Sequence, residues 1–160
     1  MNQCIAYYES PLGLLKIVCQ EERLYSLLFT DAVTDATAEG AATANVIMQL
    51  DEYFSGQRKT FDFPFNQRGT PFQSKVWELL YKIPYGKTIS YMDLAKQYGD
   101  VKAIRAVASA NGKNNLAIVI PCHRVIGSNA TLTGYAGGLW RKKWLLAHEA
   151  KFHSGVQQLF

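Results

Sequence analysis

The apolar positions of this 160-residue chain change their period part-way along it. Near the start, three β-prone runs, Gln3 to Tyr8, Leu14 to Cys19 and Leu24 to Phe29, are punctuated by Pro11-Leu12-Gly13 and Glu21-Glu22. That spacing predicts a three-stranded meander. Asp31 to Gly40, rich in Ala, Thr and Asp, reads as a surface loop or a frayed helix start. From Thr43 to Phe54 the period becomes helical, because Val46, Ile47, Leu50, Tyr53 and Phe54 recur on one face. Phe61 to Asn66 reads as a strand leading into a linker, which places a domain boundary near Asn66.

Beyond that boundary the helical period dominates. Thr70-Pro71 offers an N-cap and a proline at the first helical position, and Phe72, Val76, Leu79, Leu80 and Ile83 keep the 3.6 period until Pro84-Tyr85-Gly86. Ser90-Tyr91-Met92-Asp93 resembles a capping box with Asp in the usual Glu/Gln place. It opens a helix that runs to about Tyr98, before Gly99. A third helix covers Val101 to Asn111, with Ile104 and Val107 inward, and stops at Gly112. Two short helices around a glycine turn match a helix-turn-helix. Leu116 to Ile120 reads as an apolar strand, Val125 to Tyr135 as a wing-like hairpin, and Leu139 to about Glu149 as a last amphipathic helix. The expected class is α+β, with a small N-terminal domain on an antiparallel sheet (residues 1–66) and a C-terminal winged helix-turn-helix-like domain (residues 67–160).

With 48% hydrophobic and 19% charged residues, disorder, collagen and coiled coil are excluded. No run approaches the roughly 20 apolar residues of a membrane span. Met1 to Ser10 has no basic segment leading into an apolar core, so the chain is expected to be cytoplasmic. The net charge of +4 conceals an asymmetry. Residues 1–66 carry four Lys/Arg against nine Asp/Glu, a net of −5, whereas residues 67–160 carry thirteen against four, a net of +9. Only the second part is expected to face a polyanion; the plain alternative is a solvated basic face. Cys4, Cys19 and Cys122 are odd in number and never form a CxxC pair, so neither a disulfide framework nor a self-contained zinc motif is present.

The third predicted helix is unusual for a DNA reader. Around Arg105 its outward positions are mostly small, including Ala106 and Ser109. Small side chains allow close approach to a narrow groove but distinguish bases poorly, so sequence-independent binding is expected; an Ala-rich helix also reads as one that merely packs tightly. The strongest local signal is Ile120-Pro121-Cys122-His123-Arg124-Val125. Positive neighbours predict a lowered thiol pKa and a reactive Cys122, although buried cysteines are mostly inert and neighbours on a strand face opposite ways. Glu149 is a candidate to orient the His123 imidazole. His148 and His153 read as surface or helix-end residues.

Pro121-Cys122-His123-Arg124, Ser90-Tyr91 and Arg105-Ala106-Val107 upstream, and Gly134-Tyr135-Ala136-Gly137-Gly138 and Leu146-Ala147-His148-Glu149 downstream form an ordered set. It resembles the O6-alkylguanine-DNA alkyltransferases, also called methylated-DNA–protein-cysteine methyltransferases. The resemblance implies a ribonuclease H-like first domain, a cofactor-free monomer, and double-stranded DNA carrying O6-alkylguanine as partner. It also implies single-turnover repair in which the alkyl group moves from O6 of guanine, and also O4 of thymine, to Cys122. His123 would act as base through a water, Glu149 would hold its tautomer, and Asn114 would support the turn. Tyr91 would contact the rotated phosphate and help protonate the leaving guanine, and Arg105 would fill the gap left by the flipped base. Ala106, Ser109 and Arg124 join the DNA-contacting group. Tyr135 would line the pocket, and the carbonyls of Cys122 and Val125 would accept from the guanine amine.

Two positions depart from the family pattern: Asn115 stands where proline is common, and Ala136 where some members have serine. The first 122 residues hold no histidine, so Cys4 and Cys19 cannot complete a four-ligand zinc site, and no metal is expected. Two other readings compete with this one, a lesion-binding alkyltransferase-like module that lacks the cysteine and a Cys-His hydrolase.

Overall fold

The first three strands follow from two tight turns. In the computed structural model, which describes residues 3–127, Tyr135 and residues 137–154, β1 (Gln3–Ser10), β2 (Gly13–Gln20) and β3 (Arg23–Thr30) form an antiparallel sheet in the order β1-β2-β3. Ser10 Oγ accepts from Leu12 N–H at 3.0 Å and donates to the Gly13 carbonyl at 2.7 Å, closing the first turn. Glu21 and Glu22 make the second, both at positive φ (50° and 64°). The sheet edges are covered by short pieces of backbone: Ala38 bridges Ile5 of β1, while Phe65 and Leu116 bridge Leu24 and Leu27 of β3. The strand expected over Phe61 to Asn66 is thus a single bridge at Phe65, and the segment carrying Leu116 belongs to the sheet.

One sheet face is apolar and lies under α1 (Ala41–Phe54). Ala6, Leu15, Ile17, Cys19, Leu24 and Leu27 are buried there with Val46, Leu50 and Tyr53 of the helix. Buried Gln49 donates to the Asp62 carbonyl (2.9 Å) and accepts from Asp62 N–H (2.7 Å), so its amide replaces the ladder partner that this segment lacks. These elements form one compact unit, Met1–Arg68 with Asn115–Ala117.

The second unit, Gly69–Asn114 with Ile118–Phe160, is helical. Thr70 caps α2 (Pro71–Tyr81) through a reciprocal pair with Gln73, at 3.1 and 3.0 Å. β4 (Ile89–Ser90) leads into α3 (Tyr91–Tyr98), where Ser90 and Asp93 form the same box, with Asp doing what Glu or Gln usually does. Gly99, at φ +107°, ends α3 in the left-handed conformation. Asp100 caps a short 3-10 turn over Val101–Ala103, and α4 (Ile104–Gly112) follows. Together α3 and α4 make the helix-turn-helix. Trp77 Nε1 donates to the Ala110 carbonyl at 2.9 Å and ties α4 to α2.

β5 (Val125–Ile126) pairs parallel with β4, which is not the start of an antiparallel hairpin. The rest of the expected wing, residues 128–134, and Ala136 lie outside the described residues. The last helix, α5 (Leu139–Ser154), continues past the expected stop at Glu149. His148 is buried, stacked on Trp144 and tilted against Phe152, with ring centres 4.8 Å away in each case. Among the described residues, no helix is long and apolar enough to cross a membrane.

The Glu21-Glu22 turn offers a stability test. Left-handed backbone is unfavourable for a residue with a Cβ, and two-residue hairpin turns of this type favour Asn-Gly. Replacing the pair by Asn-Gly should stabilise the protein by about 1–2 kcal/mol, read as a higher denaturant midpoint at unchanged m-value. An unchanged midpoint would contradict the strain.

Candidate active site

The apolar run before Cys122 is a turn, which corrects the expected strand. Ile118 sits at φ +73°, a costly conformation for a β-branched residue. The Ile120 carbonyl accepts from Asn114 Nδ2 and from Cys122 N–H, both at 2.8 Å, so it has no part in a strand ladder. Cys122–Arg124 then form one 3-10 turn, closed by Arg124 N–H on the Pro121 carbonyl at 3.0 Å. Successive side chains on such a turn lie about 120° apart. Cys122 and His123 are therefore released from the alternation of a strand.

Glu149 of α5 collects the next two side chains. His123 Nε2 lies 2.8 Å from Glu149 Oε2, with His123 fully buried and Glu149 1% exposed. Arg124 clamps the same carboxylate through Nε (2.7 Å) and Nη2 (3.0 Å) and donates Nη1 to the Ile83 carbonyl at 2.7 Å. Burial alone would raise the Glu149 pKa, but His123 and Arg124 together hold it well below the usual carboxylate range. Burial lowers the His123 pKa, against the opposing pull of Glu149. The pair is thus a carboxylate and a neutral imidazole. An ionised carboxylate only accepts, so Nε2 carries the proton and Nδ1 the lone pair. His123 Nδ1 is buried and has no hydrogen-bond partner among the described residues.

The electrostatics of Cys122 run against the sequence expectation. Burial pushes its thiol pKa up, and Asn114 and the Lys142 ammonium only partly offset this. The resting group is a protonated thiol that needs a base. Lys142 is fully buried on α5, donates Nζ to the Val125 carbonyl at 2.6 Å and stands 5.7 Å from the centre of the Tyr91 ring. Burial lowers its pKa to about 8, with Cys122 acting in the opposite direction. Tyr135, whose pKa burial holds well above its usual value, keeps its proton, and its buried hydroxyl has no hydrogen-bond partner among the described residues.

The structure thus gathers Cys122, His123, Glu149, Asn114, Val125 and Arg124 in one unit, with Tyr135 and Tyr91 linked to them through Cys122 and Lys142 respectively. Arg124, grouped by the resemblance with the DNA-contacting residues, is buried and turned inward onto Glu149. Arg105, Ala106 and Ser109 are elsewhere, exposed on α4, with the exposed Lys102 in the turn before it and Lys113 at its C-terminal cap. Sequence reasoning missed Lys142. The available signal was its place three, four and seven residues before Leu145, Leu146 and Glu149, a charged residue on the buried stripe of α5. Among the described residues, no three His, Cys, Asp or Glu side chains converge as a metal centre requires.

A thiol, a base of fixed tautomer, an ionised carboxylate and a buried cation can perform nucleophilic displacement. Comparison with known proteins agrees with that chemistry. The family described as 6-O-methylguanine DNA methyltransferase, DNA binding domain, matches residues 71–151, and its ribonuclease-like domain matches residues 4–67. A constitutive methylated-DNA–protein-cysteine methyltransferase of Bacillus subtilis is 49% identical over 81% of this chain and 84% of that protein. One from Mycolicibacterium paratuberculosis is 43% identical over 95% of each. The crystal structure of Mycobacterium tuberculosis OGT in complex with DNA is 41% identical, with a TM-score of 0.84 over 91% of this chain and 93% of that one. The chain belongs to the 6-O-methylguanine DNA methyltransferase family.

Proposed function

We propose that the protein repairs DNA by moving a methyl or other small alkyl group from O6 of guanine, and from O4 of thymine, directly onto Cys122. The observation that carries this reading is the buried set of Cys122, His123 and Glu149, in which Nδ1 of a neutral imidazole is left to accept a proton. His123, through a bridging water, takes the proton of Cys122. Sγ then attacks the alkyl carbon, the carbon–O6 bond breaks, and its electron pair leaves with the guanine, which takes a proton from the Tyr91 side. The Lys142 charge offsets the thiolate as it forms. An sp3 carbon favours this soft nucleophile. The product is a thioether with no carbonyl for water to attack, so the protein acts once and needs no cofactor.

DNA engages the exposed side of α4, where Arg105, flanked by Lys102 before the helix and Lys113 after it, supplies charge and Ala106 and Ser109 permit close approach. Flipping the damaged base costs a few kcal/mol, and less for a weakly paired lesion. Arg105 fills the gap, and Tyr135 and the carbonyls of Cys122 and Val125 receive the base. The Val125 oxygen also accepts from Lys142 Nζ, which ties this carbonyl to the cation beside Cys122. All the residues named belong to one unit of one chain, which supports action as a monomer. The cysteine-free lesion-binding reading is disfavoured because Cys122 is present and built into the set. A hydrolase would show multiple turnover.

Incubation with O6-methylguanine DNA should add about 14 Da, one CH2, to one cysteine only. Cys122→Ala should gain nothing while binding DNA within a few-fold of the parent; alkylation of that variant would overturn the assignment. The single-turnover rate should be flat between two limits. It should fall at acid pH, as His123 protonates below its ordinary 6.5, and fall again above about 8, as Lys142 loses its charge. Lys142→Met should slow transfer by about 10- to 100-fold and abolish the alkaline limb. A retained limb would remove Lys142 from the thiolate's stabilisation.

Glu149 should also control acid stability. Its folded pKa lies below the unfolded value of about 4.3, so its contribution is present above that pH and is lost as pH falls through the folded value. Glu149→Gln strands Arg124 and should cost about 3–5 kcal/mol at neutral pH, with a shallower acid dependence. Denaturant titration at pH 7 and pH 3 measures both.

A further inference from the structure

The two cysteines that alkyl transfer does not use stand directly opposite each other in the sheet. Cys4 of β1 is the register partner of Cys19 of β2, and both are free thiols. Ile5 exchanges both backbone hydrogen bonds with Ala38, on the side away from β2. Its neighbour Cys4 therefore turns its backbone toward β2, and Cys4 and Cys19 form a hydrogen-bonded pair, whose Cα atoms lie about 5.5 Å apart. That distance lies inside the range of disulfides, about 4.4–6.8 Å. Directly opposed residues share a face, here the one under α1. Cys19 is buried and Cys4 half-buried. A Cβ on Gly40 would lie 2.9 Å from Cys4 Sγ, so the backbone leading into α1 closes over that sulfur.

The remaining requirement is a contraction. Opposed Cβ atoms of a hydrogen-bonded pair stand about 5.5 Å apart, against about 3.8 Å across a disulfide, so the pair must close by roughly 2 Å. The β2–β3 register shift falls between Val18 and Cys19, with Tyr25 as the extra residue on β3. It disrupts the ladder beside Cys19, which loosens the hold of β3 on that residue.

We propose that Cys4 and Cys19 are a second thiol site, a cross-strand dithiol that a hydroperoxide converts to an intramolecular disulfide independently of alkyl transfer. With hydrogen peroxide, Cys4 Sγ attacks one oxygen, the O–O bond breaks, and the thiol becomes a sulfenic acid with release of one water. Cys19 Sγ then attacks Cys4 Sγ, the S–O bond breaks, and a second water leaves as the S–S bond forms. Two thiols are oxidised and one peroxide is reduced. Burial pushes the Cys19 thiol up to about 11, so the second step should quicken about tenfold per pH unit between pH 7 and 9.

The test uses the full chain carrying Cys122→Ala, which leaves these as its only cysteines. Equimolar hydrogen peroxide should lower its mass by about 2 Da, join the peptides holding Cys4 and Cys19, and be reversed by dithiothreitol. Adding Cys19→Ser should instead leave Cys4 trapped by dimedone as the sulfenic acid. Chains linked in pairs, Cys4 advancing to the sulfinic acid beside an unmodified Cys19, or no reaction would each overturn the proposal. The measurement on the intact pair stands even if the added serine impairs folding.

Discussion

A single buried carboxylate sets the arrangement of the second unit. Glu149 joins α5 to the Cys122–Arg124 turn through two side chains, and the same Arg124 reaches the Ile83 carbonyl beyond the end of α2. Removing a charge from water costs several kcal/mol, and here two bonds from the guanidinium and one from the imidazole offset it. Each contact therefore has a second effect. The bonds that keep Glu149 ionised determine which nitrogen of His123 holds a proton, so the tautomer is a property of the packing. The residue that resembled a DNA contact is what makes a buried anion tolerable.

Around Cys122, two opposing effects differ in size. Lys142 and Asn114 favour a thiolate, burial favours a thiol, and burial wins. For a protein whose nucleophile is consumed by its reaction, that balance has a physical advantage. Thiolates are the forms that oxidise and react indiscriminately, so a thiol that ionises only beside its base and its target is protected until then. Lys142 still matters, because a charge already in place stabilises the developing anion without reorganisation.

The legible parts of the sequence were the local ones. The meander follows from alternation and two short turns, and α2 and α3 announce themselves through capping residues whose partners are three positions away. What escaped depends on distant partners. Arg124 turns inward because of Ile83, forty-one residues earlier, and Glu149, twenty-five later. The run before Cys122 has the composition of a strand, but Asn114 claims the Ile120 carbonyl and leaves Ile118 in a left-handed turn. Asn115, marked as a departure from proline, donates its N–H to Gln67, a bond proline cannot make. The resemblance supplied the roles of Cys122, His123 and Glu149; periodicity alone would have left a Cys-His pair and a helix-end acid.

The plainness of α4 then has a structural explanation. Its inner side is held by Val107 and Ala110 in the core and by the Trp77 bond to the Ala110 carbonyl, so the helix is rigidly placed. Its outer side offers the charge of Arg105, with Lys102 and Lys113 just beyond its two ends, and almost nothing to read a base edge. In the proposed reaction every guanine must be examined, and a sequence preference gains nothing. Discrimination there passes to the cost of extruding a base, which a weakened pair lowers, and to a buried thiol that reacts only with what reaches it.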